Sequence, residues 1–182
     1  MNRLSTLLLC VALSLGAEAD VNNLLPLPRQ MELADCTFAL GRPVRLTDAT
    51  DCLLLKQFLS ENCCTVATDA AASVTVEIVS QIEGTKDYAL AGFPAEGYEL
   101  QVEADDIVIR AMTPTGVTRA AATLLQMAED TDARVDGCRV VDWPAFKLRG
   151  YMHDVGRSFV TVDEIKHELD LMARFKVNCF HW

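Results

Sequence analysis

Phe146-Lys147-Leu148-Arg149-Gly150-Tyr151-Met152, then Thr161-Val162-Asp163-Glu164, then Lys176-Val177-Asn178-Cys179-Phe180-His181-Trp182: these three stretches decide the fold. The first reads as a strand entered from Trp143-Pro144, where proline blocks a helix and withholds a ladder donor. The second is a capping box, in which a Thr hydroxyl and a Glu carboxylate three residues apart satisfy each other's orphan amides. Behind it Ile165, Leu169, Met172 and the stem of Lys176 fall on one helical face. The third reads as another strand, apolar through Val177, Cys179 and Phe180. Strand, helix, strand over residues 147 to 182 is a βαβ unit, the repeat of a parallel α/β fold. A (β/α)8 barrel takes roughly 250 residues, so the reading is of a truncated barrel, with residues 143–182 as its incomplete start.

Upstream the pattern changes. Leu24-Leu25-Pro26-Leu27-Pro28-Arg29 is an extended entry, and Cys36 to Leu40 and Val44 to Leu46 read as short strands. Residues 51–61 place Leu54, Leu55, Phe58 and Leu59 on one side of a helix. Val74 to Val79 alternates with period two and is β-branched, hence a strand. A hairpin comes next, 97–102 against 107–111 across the polar turn Glu103-Ala104-Asp105-Asp106. Thr113-Pro114 then opens a helix with a hydroxyl cap and proline at the first helical position. Its stripe is Val117, Ala121, Leu124, Leu125 and Ala128. This makes a compact α+β domain, an antiparallel-rich sheet with its helices on one face, over residues 20–142. Asp142 and Trp143 read as packing between this domain and the barrel start.

Residues 1–19 are set apart. One basic residue, Arg3, precedes an apolar run from Leu4 to Gly16, and Ala17-Glu18-Ala19 supplies small residues before Asp20. That order is a secretory signal peptide, and it makes the protein an exported one, periplasmic, surface-bound or extracellular. The net charge of −10 excludes a nucleic-acid partner, which needs a basic face. The apolar runs are too short for a membrane span. Cys36, Cys52, Cys63, Cys64, Cys138 and Cys179 remain after cleavage. Export permits disulfides, but the spacing does not choose among the pairings; several buried free thiols with one or two bridges is the expectation. No C-x-x-C pair exists and histidine is scarce, so neither a metal nor a cofactor is expected. Oligomeric state is not written in the pattern.

Asp142-Trp143-Pro144-Ala145-Phe146-Lys147-Leu148-Arg149-Gly150-Tyr151-Met152-His153-Asp154-Val155-Gly156-Arg157 resembles the glycoside hydrolase family 20 segment D-x-P-x-F-x-x-R-G-x-x-x-D-x-x-R. The run from Leu171 to Trp182 resembles its M-A-x-x-K-x-N-x-x-H-W continuation. Leu25-Pro26-Leu27-Pro28 and the stretch Tyr98 to Gln126 look like the family's small accessory domain. Leu148 stands where members usually have an aromatic or His, and Ser158 where they often have His; neither position carries the family's chemistry.

The resemblance implies a β-N-acetylhexosaminidase. Such an enzyme removes terminal non-reducing N-acetylhexosamine from β-linked glycans or chitooligosaccharides, by a retaining, substrate-assisted mechanism. The 2-acetamido oxygen of the sugar attacks the anomeric carbon, an Asp orients that amide, and the adjacent Glu protonates the leaving oxygen. That Asp-Glu pair is expected beyond Trp182, so no catalytic residue is assigned in this chain. Arg157 matches the arginine that holds the 3- and 4-hydroxyls of the terminal sugar. A guanidinium is a planar fork suited to adjacent oxygens, and such barrels bind at strand C-termini. Asp154 reads either as its partner, holding the guanidinium in place, or as a carboxylate capping the loop, and His181 either as a core residue inside the second strand or as part of the pocket wall. Arg149 falls at the opposite end of the strand and reads as structural, while His153 and His167 show no partner pattern. The competing reading is a carbohydrate-binding or interaction module without catalysis.

Overall fold

The computed structural model describes residues 24–47, 51–62, 64–82, 94–129 and 131–182. The signal-peptide reading of residues 1–19, and with it Cys63, lies outside them. In chain order the elements are β1 (Gln30–Ala39), β2 (Val44–Thr47), α1 (Leu53–Glu61), β3 (Ala72–Ile78), β4 (Tyr98–Val102), β5 (Asp106–Ala111), α2 (Pro114–Met127), β6 (Arg134–Asp142), β7 (Gly150–Met152), α3 (Val162–Arg174) and β8 (Cys179–His181). A short 3-10 turn, Pro94–Glu96, leads into β4.

Six strands form one sheet in the order β1-β6-β4-β5-β3-β2. The hairpin closes as its sequence suggests: β4 and β5 run antiparallel from Tyr98↔Ala111 to Val102↔Ile107, and Glu103 N–H donates to the Asp106 carbonyl at 2.8 Å. β6 lies antiparallel to both β4 and β1, whereas β3 is parallel to β5 and to β2. The sheet is therefore mixed, with a parallel wing added to its antiparallel part. Two features go beyond the sequence reading. β6 has no clear signal there, because Gly137 and the polar residues around it blur the alternation. β1 extends back to Gln30; as an edge strand it is mostly exposed and so carries no clean alternation.

β1 is also bulged between Leu33 and Thr37, and there Cys36 packs onto Gly137. A β-carbon built on Gly137 would meet the Cys36 thiol at 2.3 Å, so the strands can come together only over a glycine.

α1 and α2 pack against each other on one face of the sheet. α1 buries Leu55, Phe58 and Leu59, and α2 buries Val117, Ala121, Leu124 and Leu125. Beneath them Phe38, Val74, Val76, Leu100, Ile107 and Ile109 complete a core with at most 1% exposure. Burying a side chain of this size contributes about 1.5–3 kcal/mol, so the apolar face specifies the register. The opposite face is ionic. Arg110 Nε bonds Glu77 at 2.7 Å, and Arg139 Nε bonds Glu99 at 2.7 Å, while Arg110 also stands 3.8 Å from Glu99.

β7 and β8 pair in parallel, Gly150↔Cys179 to Met152↔His181, joined by α3. The capping box is formed: Thr161 N–H donates to Glu164 Oε2 at 2.8 Å, and Glu164 N–H donates to Thr161 Oγ1 at 3.2 Å. Both strands are shorter than the sequence reading, since 146–149 and 176–178 run in as loops. Lys176 corrects that reading outright. The helix ends at Arg174, and Lys176, at φ 60°, turns away from the α3 face toward Tyr98 and Asp142 of the six-stranded sheet. The unit rests on the α2 side of the sheet, and its outward surfaces are apolar at Phe159, 91% exposed, and Trp182, 72% exposed.

Among the described cysteines, Cys36, Cys52, Cys138 and Cys179 are free thiols. Cys138 is buried in the core, and burial pushes its thiol up to about 12. No helix among the described residues is long and apolar enough to cross a membrane.

Candidate functional site

β7 ends at Met152, and the chain beyond it turns sharply. Asp154 makes that turn: its Oδ1 accepts from Gly156 N–H at 3.0 Å, and its Oδ2 lies 3.0 Å from Arg157 Nε. Asp154 thus shapes the loop and holds the guanidinium with one carboxylate. The Arg157 side chain is 87% exposed, leaving its terminal nitrogens turned to solvent at the C-terminal end of the strand. His181 closes β8 at the same end, and its carbonyl accepts from His153 N–H at 3.0 Å. The three residues singled out from the sequence, Arg157, Asp154 and His181, therefore share one edge of the β7–β8 pair. The His181 side chain is exposed rather than enclosed in the strand.

His153 has a partner the sequence did not disclose. Its Nδ1 lies 2.9 Å from both oxygens of Glu168 on α3, and since a carboxylate accepts, Nδ1 carries the proton. On the same strand face Tyr151 stacks on Phe180 with centroids 6.2 Å apart, and Phe180 leans on Trp182 at 6.3 Å.

At the other end of the strands lies a second polar cluster. Lys176 Nζ donates to Asp142 Oδ2 at 2.9 Å and to Tyr98 Oη at 2.8 Å. Both charged side chains are nearly enclosed, 7% and 9% exposed. Tyr98 Oη also meets Thr123 Oγ1 at 2.7 Å. Burial drives the Tyr98 hydroxyl well above its ordinary range, with Asp142 adding to it. Burial also lowers the Lys176 ammonium, a fall that Asp142 opposes. Beside them Glu96 is bonded by Arg119 at 2.8 Å and by Arg149. Burial alone would raise the Glu96 carboxyl, but the two guanidiniums outweigh it and hold it below the ordinary glutamate range. Arg149 Nε further donates to the Lys176 carbonyl at 2.8 Å. Arg149, read as structural, is bonded here to Glu96 and to the Lys176 carbonyl, and Asp142 to Lys176. Lys176, Glu96 and Tyr98 gave no local signal, for their partners are distant in sequence.

Chemically the first site offers a charged fork beside a carboxylate, which suits vicinal hydroxyls. Among the described residues no group of His, Cys, Asp or Glu is arranged to hold a metal ion.

Residues 21–143 match the model of glycosyl hydrolase family 20, domain 2, and residues 146–182 match the glycosyl hydrolase family 20 catalytic domain. A beta-hexosaminidase of Porphyromonas gingivalis is 30% identical over 174 residues, covering 88% of this chain and 22% of the relative. A beta-hexosaminidase of Vibrio furnissii is 30% identical over 178 residues, covering 92% and 27%. The family 20 exo-β-N-acetylglucosaminidase of Vibrio harveyi, solved in complex with N-acetylglucosamine, superposes with a TM-score of 0.68 at 27% identity, over 89% of this chain and 25% of that one. The chain spans about a quarter of the length of these relatives.

Proposed function

The chain belongs to glycosyl hydrolase family 20, and from that premise we propose that the protein is an exported β-N-acetylhexosaminidase. In this reading residues 1–19 direct export, residues 20–142 are the accessory domain, and residues 143–182 begin a (β/α)8 catalytic barrel. The substrate is a β-linked glycan or chitooligosaccharide with a terminal N-acetylhexosamine. The sugar's own acetamide oxygen attacks the anomeric carbon. In the family an Asp-Glu pair assists it, and no residue of the motif matched here carries that role.

Arg157 binds the substrate. Its guanidinium donates two parallel hydrogen bonds to neighbouring hydroxyls of the terminal sugar, and Asp154 keeps the fork from rotating away. His181 stands at the pocket wall. The observation that carries this reading is the Arg157–Asp154 pair, 3.0 Å long, just past the end of β7, where barrels of this class bind their substrates.

The test uses the protein with its whole catalytic domain and an aryl N-acetyl-β-glucosaminide. Arg157→Lys keeps the charge and loses the paired geometry. Each charge-assisted hydrogen bond lost is worth roughly 1.5–3 kcal/mol, so kcat/KM falls about ten- to a hundredfold. Arg157→Ala falls further, and both variants melt near wild type because the side chain leaves the core untouched. Arg149→Lys does the reverse, lowering the melting temperature more than the kcat/KM of the folded enzyme. Wild-type kcat/KM in Arg157→Ala would remove the arginine from the site.

A further inference from the structure

The polar cluster at the lower end of the strands joins the two parts of the molecule. Lys176 is the residue on which the chain turns from α3 toward β8. It holds a left-handed backbone, φ 60°, which an L side chain adopts at a cost, and it sends its ammonium into the first domain between Asp142 and Tyr98. Asp142 is the last residue of β6, and Tyr98 the first of β4.

Neighbouring bonds continue the join. Asn178 Oδ1 accepts from Arg149 N–H at 2.9 Å, and Asn178 Nδ2 donates to the Lys147 carbonyl at 2.8 Å, so the approaches to β7 and β8 are tied to each other. Arg149 reaches Glu96 of the first domain. Further along, Gln126 of α2 donates to the Arg174 carbonyl at 2.9 Å, and Arg174 pairs with Glu129. Each strand of the second unit is thus fixed to the first domain just before it begins, and α3 where it ends.

We propose that Lys176, Asp142 and Tyr98 are positioning residues: a clamp by which the accessory domain sets the placement of β7 and β8, and through it the place where Arg157 meets the sugar. A buried charge pair is directional and intolerant of slippage in a way that apolar packing is not. The strands are rigid, so an error at their entry is carried to their far end, and a misplacement of about 1 Å can cost on the order of a hundredfold in rate. The link to catalysis rests on the hexosaminidase reading; the clamp itself does not.

The experiment uses the protein with its whole catalytic domain and three variants: Lys176→Met, Asp142→Asn, and the two together. Either single change leaves a buried group without its partner and can unfold the protein. The double variant removes both charges and keeps the fold. Arg139→Gln, in the ionic row on the open face, is the control for lost stability away from the junction. Two quantities are read below the melting transition: amide hydrogen exchange of residues 177–181, and kcat/KM on the aryl substrate with kcat and KM separated. In the double variant exchange at 177–181 rises at least about tenfold while β3 stays protected, and kcat/KM falls about tenfold or more. Arg139→Gln melts earlier and changes neither quantity. Unchanged exchange at 177–181 in the double variant overturns the clamp. Raised exchange with wild-type kcat/KM overturns the positioning role. If the wild-type protein shows no turnover, the hexosaminidase reading fails, and exchange alone still decides whether the clamp exists.

Discussion

Glu96 holds two guanidiniums that come from different parts of the chain, Arg119 on α2 and Arg149 at the entry to β7. Because the two guanidiniums outweigh burial and depress its carboxyl below the ordinary glutamate range, the unfolded chain takes up the proton at a higher pH than the folded one. The stability Glu96 contributes is therefore complete above its unfolded value and is lost as pH falls through its folded value. The measurement is the urea midpoint of wild type and Glu96→Gln across pH. The gap between them is wide at neutral pH and closes as pH falls through the folded-state value, below the ordinary glutamate range; a gap independent of pH would mean that Glu96 acts by packing alone. The pairing of Arg157 with Asp154 was legible from the sequence because the two stand three residues apart in one motif. Lys176 was not, since its partners Asp142 and Tyr98 lie 34 and 78 residues away, and no local pattern encodes such a distance.

At the scale of elements, those whose specification is local were legible. β3 alternates, the β4–β5 hairpin brackets a polar turn, and α2 and α3 announce themselves by their caps. β6 was hidden because Gly137, required by the Cys36 contact, breaks its alternation. Gly116 shows how tertiary packing can reverse a propensity rule. A Gly-to-Ala change inside a helix ordinarily stabilises by up to about 1 kcal/mol. Here the added β-carbon would meet the Gly97 carbonyl oxygen at 2.4 Å and the Ala111 β-carbon at 2.9 Å. Gly116 N–H also donates to the Thr113 cap at 3.4 Å, so the first turn of α2 cannot withdraw without loosening its own end. Gly116→Ala is expected to destabilise by about 1–3 kcal/mol, visible as a melting temperature lowered by several degrees; a rise would show the first turn free to move.

At the scale of the whole molecule the two parts differ in how well they cover themselves. The six-stranded sheet buries one face under α1 and α2 and makes the other ionic. The β7–α3–β8 unit has no fully buried residue in its helix and leaves Phe146, Phe159 and Trp182 each at least 72% exposed. Apolar surface of this kind drives association. The chain from Asp20 to Trp182 is expected to hydrolyse no aryl N-acetyl-β-glucosaminide above buffer and to self-associate with rising concentration. Turnover and light scattering on the purified chain check both. Activity there would contradict the mechanism proposed above.

The pairing of β1 with β6 sets a timetable for synthesis. The first strand of the sheet to leave the ribosome waits for the last, and at about 5–20 residues per second the stretch between them takes on the order of 5–20 seconds to appear. Throughout that interval β1 is a strand without a neighbour. Glu32 and Asp35 give it charge while it waits, and charge on an unpaired edge discourages pairing with other chains. β6 then runs directly into the clamp residue Asp142. The sheet closes as the approach to β7 begins to emerge, so the foundation is finished before the strands that stand on it arrive.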